Sequence, residues 1–136
     1  MYGLQQFRKL YILLVDSDPG ACYRIQQALG EGFVLRNATS LAEAKQCLAD
    51  SLPDMLISEV RIGQESGREL CRFVRLTPSL RFLPVMLLTS HATLQDKVAG
   101  FDAGADDYVV KPYDARHLVA RIRLLSRMKR FEQNPD

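Results

Sequence analysis

Two carboxylates, two hydroxyls and a lysine stand at the ends of short apolar runs that lie far apart in the sequence. They are Asp16, Ser17, Glu59, Thr89 and Lys111. Neighbouring carboxylates favour a hard cation or an acyl-transfer site, and a lysine beside them would pair with an anion. If the fold brings the ends of these runs together, the five residues form one candidate site.

The elements that would position these residues follow from the pattern of the chain. Five short apolar runs alternate with stretches of helical periodicity, which is typical of buried parallel strands joined by helices. The predicted strands are residues 11–15, 33–37, 55–58, 85–89 and 108–110, and helices are expected to start near Asp18, Ser40, Ser66, Thr93 and Asp114. This order predicts an α/β fold, a doubly wound five-stranded parallel sheet with five helices, whose ligands bind at the carboxyl ends of the strands.

Composition excludes several classes of protein. The 136 residues are 47% hydrophobic and 25% charged with a net charge of +2, which is typical of one globular domain. Three cysteines without a CxxC motif indicate reduced thiols and a cytoplasmic protein without a disulfide framework or zinc site. No apolar run near the N-terminus is long enough for a membrane span. Glycine-rich phosphate loops, HExxH and GxSxG are absent, and His91 and His117 lie in polar contexts that predict solvated side chains.

Four blocks of sequence carry a family resemblance. They are ILLVDSDP at residues 12–19, PDMLISE at 53–59, PVMLLT at 84–89 and GADDYVVKP at 104–112. With these blocks in this order, residues 9–127 resemble the receiver domain of bacterial two-component response regulators. The resemblance implies the CheY-like, flavodoxin-like three-layer sandwich and a role in phosphorelay signal transduction.

The resemblance also implies roles for individual positions. In that family an acidic pair after the first strand holds Mg²⁺, and an Asp after the third strand accepts a phosphoryl group from a histidine kinase. Asp16 matches the first acid of the pair, Thr89 and Lys111 match the phosphate-binding hydroxyl and lysine, and Tyr108 matches the switch aromatic. The bond between Lys111 and Pro112 matches a peptide bond that is usually cis in the family.

Two positions depart from the family pattern. Glu59 stands at the phospho-acceptor position, and Ser17 stands at the second acid of the pair. The extra methylene of Glu moves the carboxylate by more than about 1 Å, whereas catalytic geometry tolerates about 0.5 Å. Ser17 also removes a charged ligand from a cation that demands near-ideal geometry, which leaves Asp16 and Glu59 as weak metal candidates. Asp18 is either a substitute ligand or, as the Asp-Pro pair favours, a helix cap.

Together the two departures predict an atypical pseudo-receiver that has no catalytic residues, is not an enzyme and has weak or lost Mg²⁺ binding. Glu59 then either imitates the phosphorylated Asp or simply neutralises Lys111. The favoured function is a protein-interaction or dimerisation module. The alternative is a receiver that still accepts a phosphoryl group at Glu59 from a histidine kinase. A small-ligand binder is a third hypothesis, although the chain lacks a phosphate or flavin loop.

The output face is predicted from a closer similarity to receivers of the winged-helix transcription-factor class, which dimerise through the fourth helix, fifth strand and fifth helix. The charged positions that match this face are Lys97, Asp102, Asp106, Asp107, His117 and Arg121. That class commonly has Glu at position 117 as the partner of Lys97, so His117 predicts a missing or pH-sensitive pair. The simpler alternative is that these are ordinary solvated charges.

The domain boundary is expected near residue 127. Residues 1–127 are assigned to the receiver domain, and residues 128–136 to a basic and then polar linker towards an output domain in a longer chain or a separate effector. Arg123, Arg127, Lys129 and Arg130 form a basic stretch without aromatic residues. Such a stretch favours a linker helix over direct nucleic-acid binding.

Overall fold

The computed structural model describes residues 9–91 and 93–133, with the side chains of residues 129–133 left out of the description. The strands are β1 (Leu10–Val15), β2 (Phe33–Ala38), β3 (Met55–Glu59), β4 (Arg61–Ile62), β5 (Glu65–Ser66), β6 (Val85–Thr89) and β7 (Asp107–Val110). The helices are α1 (Pro19–Leu29), α2 (Leu41–Asp50), α3 (Gly67–Leu76), α4 (Leu94–Asp102) and α5 (Ala115–Gln133). The predicted strands and helices are all present in the predicted order.

Five strands form one parallel sheet in the order β2-β1-β3-β6-β7. This is the flavodoxin-like order, so the doubly wound fold predicted from the sequence is confirmed. The chain leaves β1 towards one edge of the sheet and returns to place β3 on the other side of β1. The carboxyl ends of β1 and β3 therefore flank the point where the strand order reverses, which is where such sheets bind ligands.

Both faces of the sheet are buried. Successive side chains of β1, such as those of Leu13 and Leu14, point to opposite faces of the sheet and are fully buried. One face packs against α2 and α3 and the other against α1 and α5. Strands buried on both faces need continuous apolar runs, which explains why five short runs were enough to predict the sheet.

Local signals fix the helix ends next to the site. Asp18 caps α1 by accepting a hydrogen bond from Gly20 N at 2.9 Å, and Pro19 occupies the first helical position. Gly30 ends α1 with φ of 81°, a conformation that favours glycine. In α2 the Ser40 hydroxyl accepts from Glu43 N at 3.1 Å, whereas the Glu43 carboxylate accepts from Thr39 N and not from Ser40 as a capping box would.

One feature differs from the sequence prediction. No strand is predicted between the third sheet strand and α3, but the antiparallel pair β4–β5 lies there, with Gly63 at positive φ in the turn between its two strands. Residues 128–133 continue α5 as a helix, which agrees with the linker helix that the basic stretch favoured. Residues 1–8 and 134–136 lie outside the description. Among the described residues, no helix combines the length and the apolar character that a membrane crossing requires.

Candidate functional site

Asp16 directly follows β1 and is almost fully buried, with 4% of its surface exposed. Its backbone N–H donates to Ala38 O at 2.9 Å, which extends the pairing of β1 with β2 by one residue. Its Oδ1 atom accepts a hydrogen bond from Asp18 N at 2.8 Å. Its Oδ2 atom is buried and has no hydrogen-bond partner. One carboxylate oxygen thus fixes the turn into α1, and the other faces the site.

Lys111 follows β7 and reaches both carboxylates of the site. Its backbone N–H donates to Thr89 O at 2.7 Å, which holds the end of β7 against β6. Its ammonium group donates to Glu59 Oε1 and lies 3.8 Å from Asp16 Oδ2. The peptide bond from Lys111 to Pro112 is cis, as the family resemblance implied. The structure therefore brings Asp16, Glu59 and Lys111 together at one edge of the sheet.

Glu59 is the last residue of β3, and its side chain is only 12% exposed. The chain folds back over it, because Gly67 N donates to Val60 O at 2.7 Å and starts α3 beside the strand end. A Cβ atom at position 67 would overlap the Glu59 carbonyl oxygen, so this close approach requires glycine. The Glu59 side chain is thus largely enclosed, and its carboxylate contacts the Lys111 ammonium group.

Thr89 and Tyr108 are linked through the backbone of His91. The Thr89 hydroxyl accepts from His91 N at 3.1 Å, and the Tyr108 hydroxyl donates to His91 O at 3.2 Å. Tyr108 is buried, and this burial raises the pKa of its hydroxyl. Within the described residues no hydrogen bond joins Thr89 to Glu59. The switch aromatic therefore points inward while Thr89 remains bonded to the loop after β6.

Ser17 and Asp18 lie on the outer side of the site. Ser17 is exposed. Asp18 is also exposed, and it binds Gly20 N as the helix cap and Arg24 at 3.1 Å. The backbone hydrogen bond from Gly20 lowers the pKa of the Asp18 carboxyl. Of the two alternatives for Asp18, the structure thus places it as the cap of α1.

The donor set does not fit the magnesium site that the family resemblance implies. The two carboxylates, Asp16 and Glu59, already face the same ammonium group of Lys111. Ser17 contributes a hydroxyl in place of a third carboxylate. Within residues 9–91 and 93–133, no three His, Cys, Asp or Glu side chains form a group that would hold a metal ion.

The predicted output face is partly occupied by contacts within the chain. Arg121 donates to both carboxylate oxygens of Asp107, with Nε at 2.7 Å from Oδ2, and this hydrogen bonding raises the pKa of Arg121. Asp106 turns inward and binds Arg75 at 2.7 Å. Asp102 and His117 are exposed, and Lys97 is half-buried. The two histidines are exposed, as their polar contexts predicted.

Sequence reasoning missed Arg75. Its guanidinium group donates to the carbonyl oxygens of Gly104, Arg81 and Leu83 as well as to Asp106. It joins the end of α3 to the loops before β6 and β7. Because three of its partners are backbone carbonyl oxygens, no pattern of side-chain types in the sequence predicts these hydrogen bonds. Arg68 was also missed, and its ion pair with Asp96 at 3.2 Å connects the starts of α3 and α4 beside the site.

With this geometry in place, the chain was compared with known proteins. The sequence model of the response regulator receiver domain matches residues 12–123. The chain belongs to this family. The receiver family accounts for the sheet order, for the cis bond before Pro112 and for the meeting of Asp16, Glu59, Thr89 and Lys111 at one sheet edge.

Individual relatives agree with this assignment. Transcriptional regulatory protein GltR of Pseudomonas aeruginosa is 36% identical over 123 residues, covering 90% of this chain and 51% of GltR. Response regulator MprA of Mycobacterium leprae is 38% identical over 117 residues, covering 85% of this chain and 50% of MprA. A CheY-like receiver domain protein of Methanospirillum hungatei superposes with a TM-score of 0.81 at 25% identity, covering 91% and 98% of the two chains. This receiver domain therefore spans about half the length of the curated relatives.

Proposed function

We propose that this receiver domain is a phosphorylation-independent protein-interaction module of a two-component system. The observation that carries the proposal is the contact between the Lys111 ammonium group and the Glu59 carboxylate. Lys111 matches the lysine that binds the phosphoryl group in the family, and Glu59 matches the acceptor. Their pairing supplies Lys111 with a negative charge without any phosphoryl transfer.

The chemistry of transfer supports the same conclusion. Phosphoryl transfer depends on positioning and on neutralising charge around the attacking carboxylate. Here the carboxylate sits on a longer side chain and is engaged by Lys111, while Ser17 replaces a charged ligand. At about 4 Å and an effective dielectric constant of about 20, an ion pair has a Coulomb energy of about 4 kcal/mol before desolvation is subtracted. A donor would have to break this pair without the magnesium site that normally assists it.

Glu59 could either imitate the phosphorylated Asp or neutralise the charge of Lys111. The contacts favour neutralisation. Imitation of a phosphoryl group requires negative charge within reach of Thr89. Thr89 instead accepts its hydrogen bond from His91 N. Tyr108 is inward and bonded to His91 O. We therefore assign Glu59 to holding Lys111, with Tyr108 kept in its inward position by packing and by the loop after β6.

The output surface is proposed to be the face formed by α4, β7 and α5, which we call the α4–α5 face. Three exposed apolar residues of α4 follow one another at helical spacing, Leu94, Val98 and Phe101. Leu124 of α5 is half-exposed as well. Because Asp106 and Asp107 are already paired within the chain, association of two copies would depend on these apolar side chains more than on charge.

The remaining parts of the proposal concern the whole protein. The similarity to regulators about twice as long, among them the transcriptional regulatory protein GltR, supports an output domain after α5, in the same chain or as a separate effector, with the domain boundary near residue 127. We propose a cytoplasmic, non-enzymatic domain without a resident Mg²⁺ ion. The basic residues of α5 are assigned to the connection with the output domain and not to nucleic-acid binding.

Self-association measured by sedimentation, with and without acetyl phosphate and Mg²⁺, tests this function. The wild-type domain is expected to show the same association constant in both conditions. The double variant Ser17→Asp, Glu59→Asp is the matched control, and its association should respond to the phosphodonor. A response of the wild-type domain would show that Glu59 still accepts a phosphoryl group and would favour the alternative function.

A further inference from the structure

A cavity of about 650 Å³ lies beside the ion-paired site, between α1 and the segment that joins β7 to α5. This volume is within the range of small-molecule sites in proteins. Its apolar lining comes mainly from Ala21, Ile25, Ala28, Leu88, Pro112 and Tyr113. Of these lining residues, Ile25 and Leu88 are buried in the core, and Tyr113 is half-buried.

Small side chains on both sides leave this space. Ala21 and Ala28 of α1 and Ala115 at the start of α5 all line the cavity. Each of these side chains ends at a single carbon atom, so the two helices approach without filling the gap between them. Ala28 and Ala115 are exposed at the mouth of the cavity. Larger residues at these two positions would narrow the entrance without replacing any core atom.

The polar groups that line the cavity and remain accessible are hydrogen-bond donors. The Arg24 side chain is 66% exposed, and its one hydrogen bond within residues 9–91 and 93–133 runs from Nη2 to Asp18. Lys111 is 30% exposed and uses one of its three donors on Glu59. Ser90, whose hydroxyl can donate, is an exposed residue of the lining. Asp16 also lines the cavity, but its unpartnered Oδ2 atom is buried.

We propose that this cavity binds a small organic carboxylate with a flat apolar body. The body would lie on Ile25, Leu88 and Tyr113, and the carboxylate would accept hydrogen bonds from Arg24, Lys111 and Ser90. Arg24 presents unused donors in a fork that matches a carboxylate. Contact with Lys111 would use the donors that Glu59 leaves free, so the ligand would bind the lysine that contacts the phosphoryl group in the family.

Three indole compounds with the same apolar body but different head groups test the ligand class. Indole-3-propionate carries a carboxylate, tryptophol a hydroxyl and tryptamine an ammonium group. Titrations of the ¹⁵N-labelled domain followed by NMR should show indole-3-propionate binding with a millimolar dissociation constant, the range expected for a ligand of this size. Backbone signals of α1 and of residues 111–115 should shift, and tryptamine should bind at least tenfold more weakly.

Matched variants locate the site. Ala28→Leu and Ala115→Leu are expected to weaken binding at least fivefold, whereas Ala49→Leu on the exposed side of α2 should not change it. Arg24→Gln should remove the preference for the carboxylate over tryptophol, and Arg72→Gln on α3 should keep it. Melting temperatures confirm that each variant is folded.

The proposal would be overturned by the absence of shifts with indole-3-propionate at about 10 mM, by equal or tighter binding of tryptamine, or by unchanged binding of indole-3-propionate to both Ala28→Leu and Ala115→Leu. Binding of acetate and inorganic phosphate as strongly as indole-3-propionate would also overturn it, because the apolar cavity would then contribute nothing. The test does not depend on phosphoryl transfer, so its failure is distinguishable from failure of the proposed function.

Discussion

At the scale of single residues, the central feature is that two carboxylates, of Asp16 and Glu59, face one ammonium group, that of Lys111. The meeting of Lys111 with Glu59 and Asp16 was predictable, because parallel strands end at one edge of the sheet. The hydrogen bonds of Thr89 and Tyr108 to His91 were not predictable, because they use backbone atoms of a loop whose conformation depends on the whole fold. The unpartnered Asp16 Oδ2 atom likewise follows from packing and not from any motif.

Removal of the Glu59 charge should destabilise the domain. Glu59→Gln leaves the Lys111 ammonium with Asp16 alone, at 3.8 Å, inside a largely enclosed site. We expect the free energy of unfolding to fall by about 1 to 2 kcal/mol, measured by urea denaturation. Glu69→Gln on the exposed side of α3 is the control and should change the free energy by less than about 0.5 kcal/mol. Equal effects of the two substitutions would contradict the importance of the ion pair.

The three free cysteines should react with iodoacetamide at different rates. Burial raises the pKa of Cys71 to about 11, and its side chain is fully buried. Cys22 is half-buried, and burial also raises the pKa of its thiol, by less. Because the thiolate is the reactive form, Cys22 should be alkylated first at pH 8 in the native domain, and Cys71 only after unfolding. Peptide mapping of the labelled protein checks this order, and early labelling of Cys71 would contradict the described packing.

At the scale of elements, local sequence signals account for the strands and for most helix ends. Continuous apolar runs predicted the five sheet strands, and the pair Asp18-Pro19 predicted the start of α1. The two-residue strands β4 and β5 were missed because they are too short to show a period. Arg75 was missed for a related reason, since its three carbonyl partners come together only when α3 packs against the loops before β6 and β7.

The start of α3 packs against the backbone of Glu59, and Gly67 makes this close approach possible. In Gly67→Ala the new methyl group would overlap the Glu59 carbonyl oxygen, which belongs to the backbone and has little room to move. We expect the free energy of unfolding to fall by about 2 kcal/mol or more, as in other overpacked sites. Gly32→Ala is the matched control, because its Cβ would meet open space, and it should cost less than about 0.5 kcal/mol. Chemical denaturation of both variants measures the difference.

At the scale of the whole molecule, Tyr108 connects the loop after β6 with α4, the helix that carries the exposed apolar residues. Gly100 of α4 packs so closely on Tyr108 that a Cβ there would lie 2.9 Å from the ring. The ring of Phe101 is 6.3 Å from that of Tyr108. Tyr108 thus touches both the loop that binds Thr89 and the helix that carries the α4–α5 face. The sequence predicted this face from charges, whereas the structure shows apolar side chains on it.

Self-association should depend on the apolar residues of the α4–α5 face. Leu124→Glu introduces a charge on the exposed side of α5 and is expected to weaken dimer formation at least tenfold, measured by sedimentation equilibrium. Leu52→Glu is the matched control, since Leu52 is equally apolar and exposed but lies outside this face. The assignment of the interface fails if Leu52→Glu has the same effect or if Leu124→Glu has none.

The measurement that tests the central claim most directly is phosphoryl incorporation, read by intact-protein mass spectrometry. Four proteins are compared: the wild-type domain, the single variants Glu59→Asp and Ser17→Asp, and the double variant that carries both substitutions. Each is incubated with Mg²⁺ and either acetyl phosphate or a phosphorylated histidine kinase. We predict no phosphoryl adduct on the wild-type domain and a stable adduct on the double variant. A stoichiometric adduct on wild-type Glu59 would contradict the account, because Lys111 would then be available to a phosphoryl group despite its pairing with Glu59.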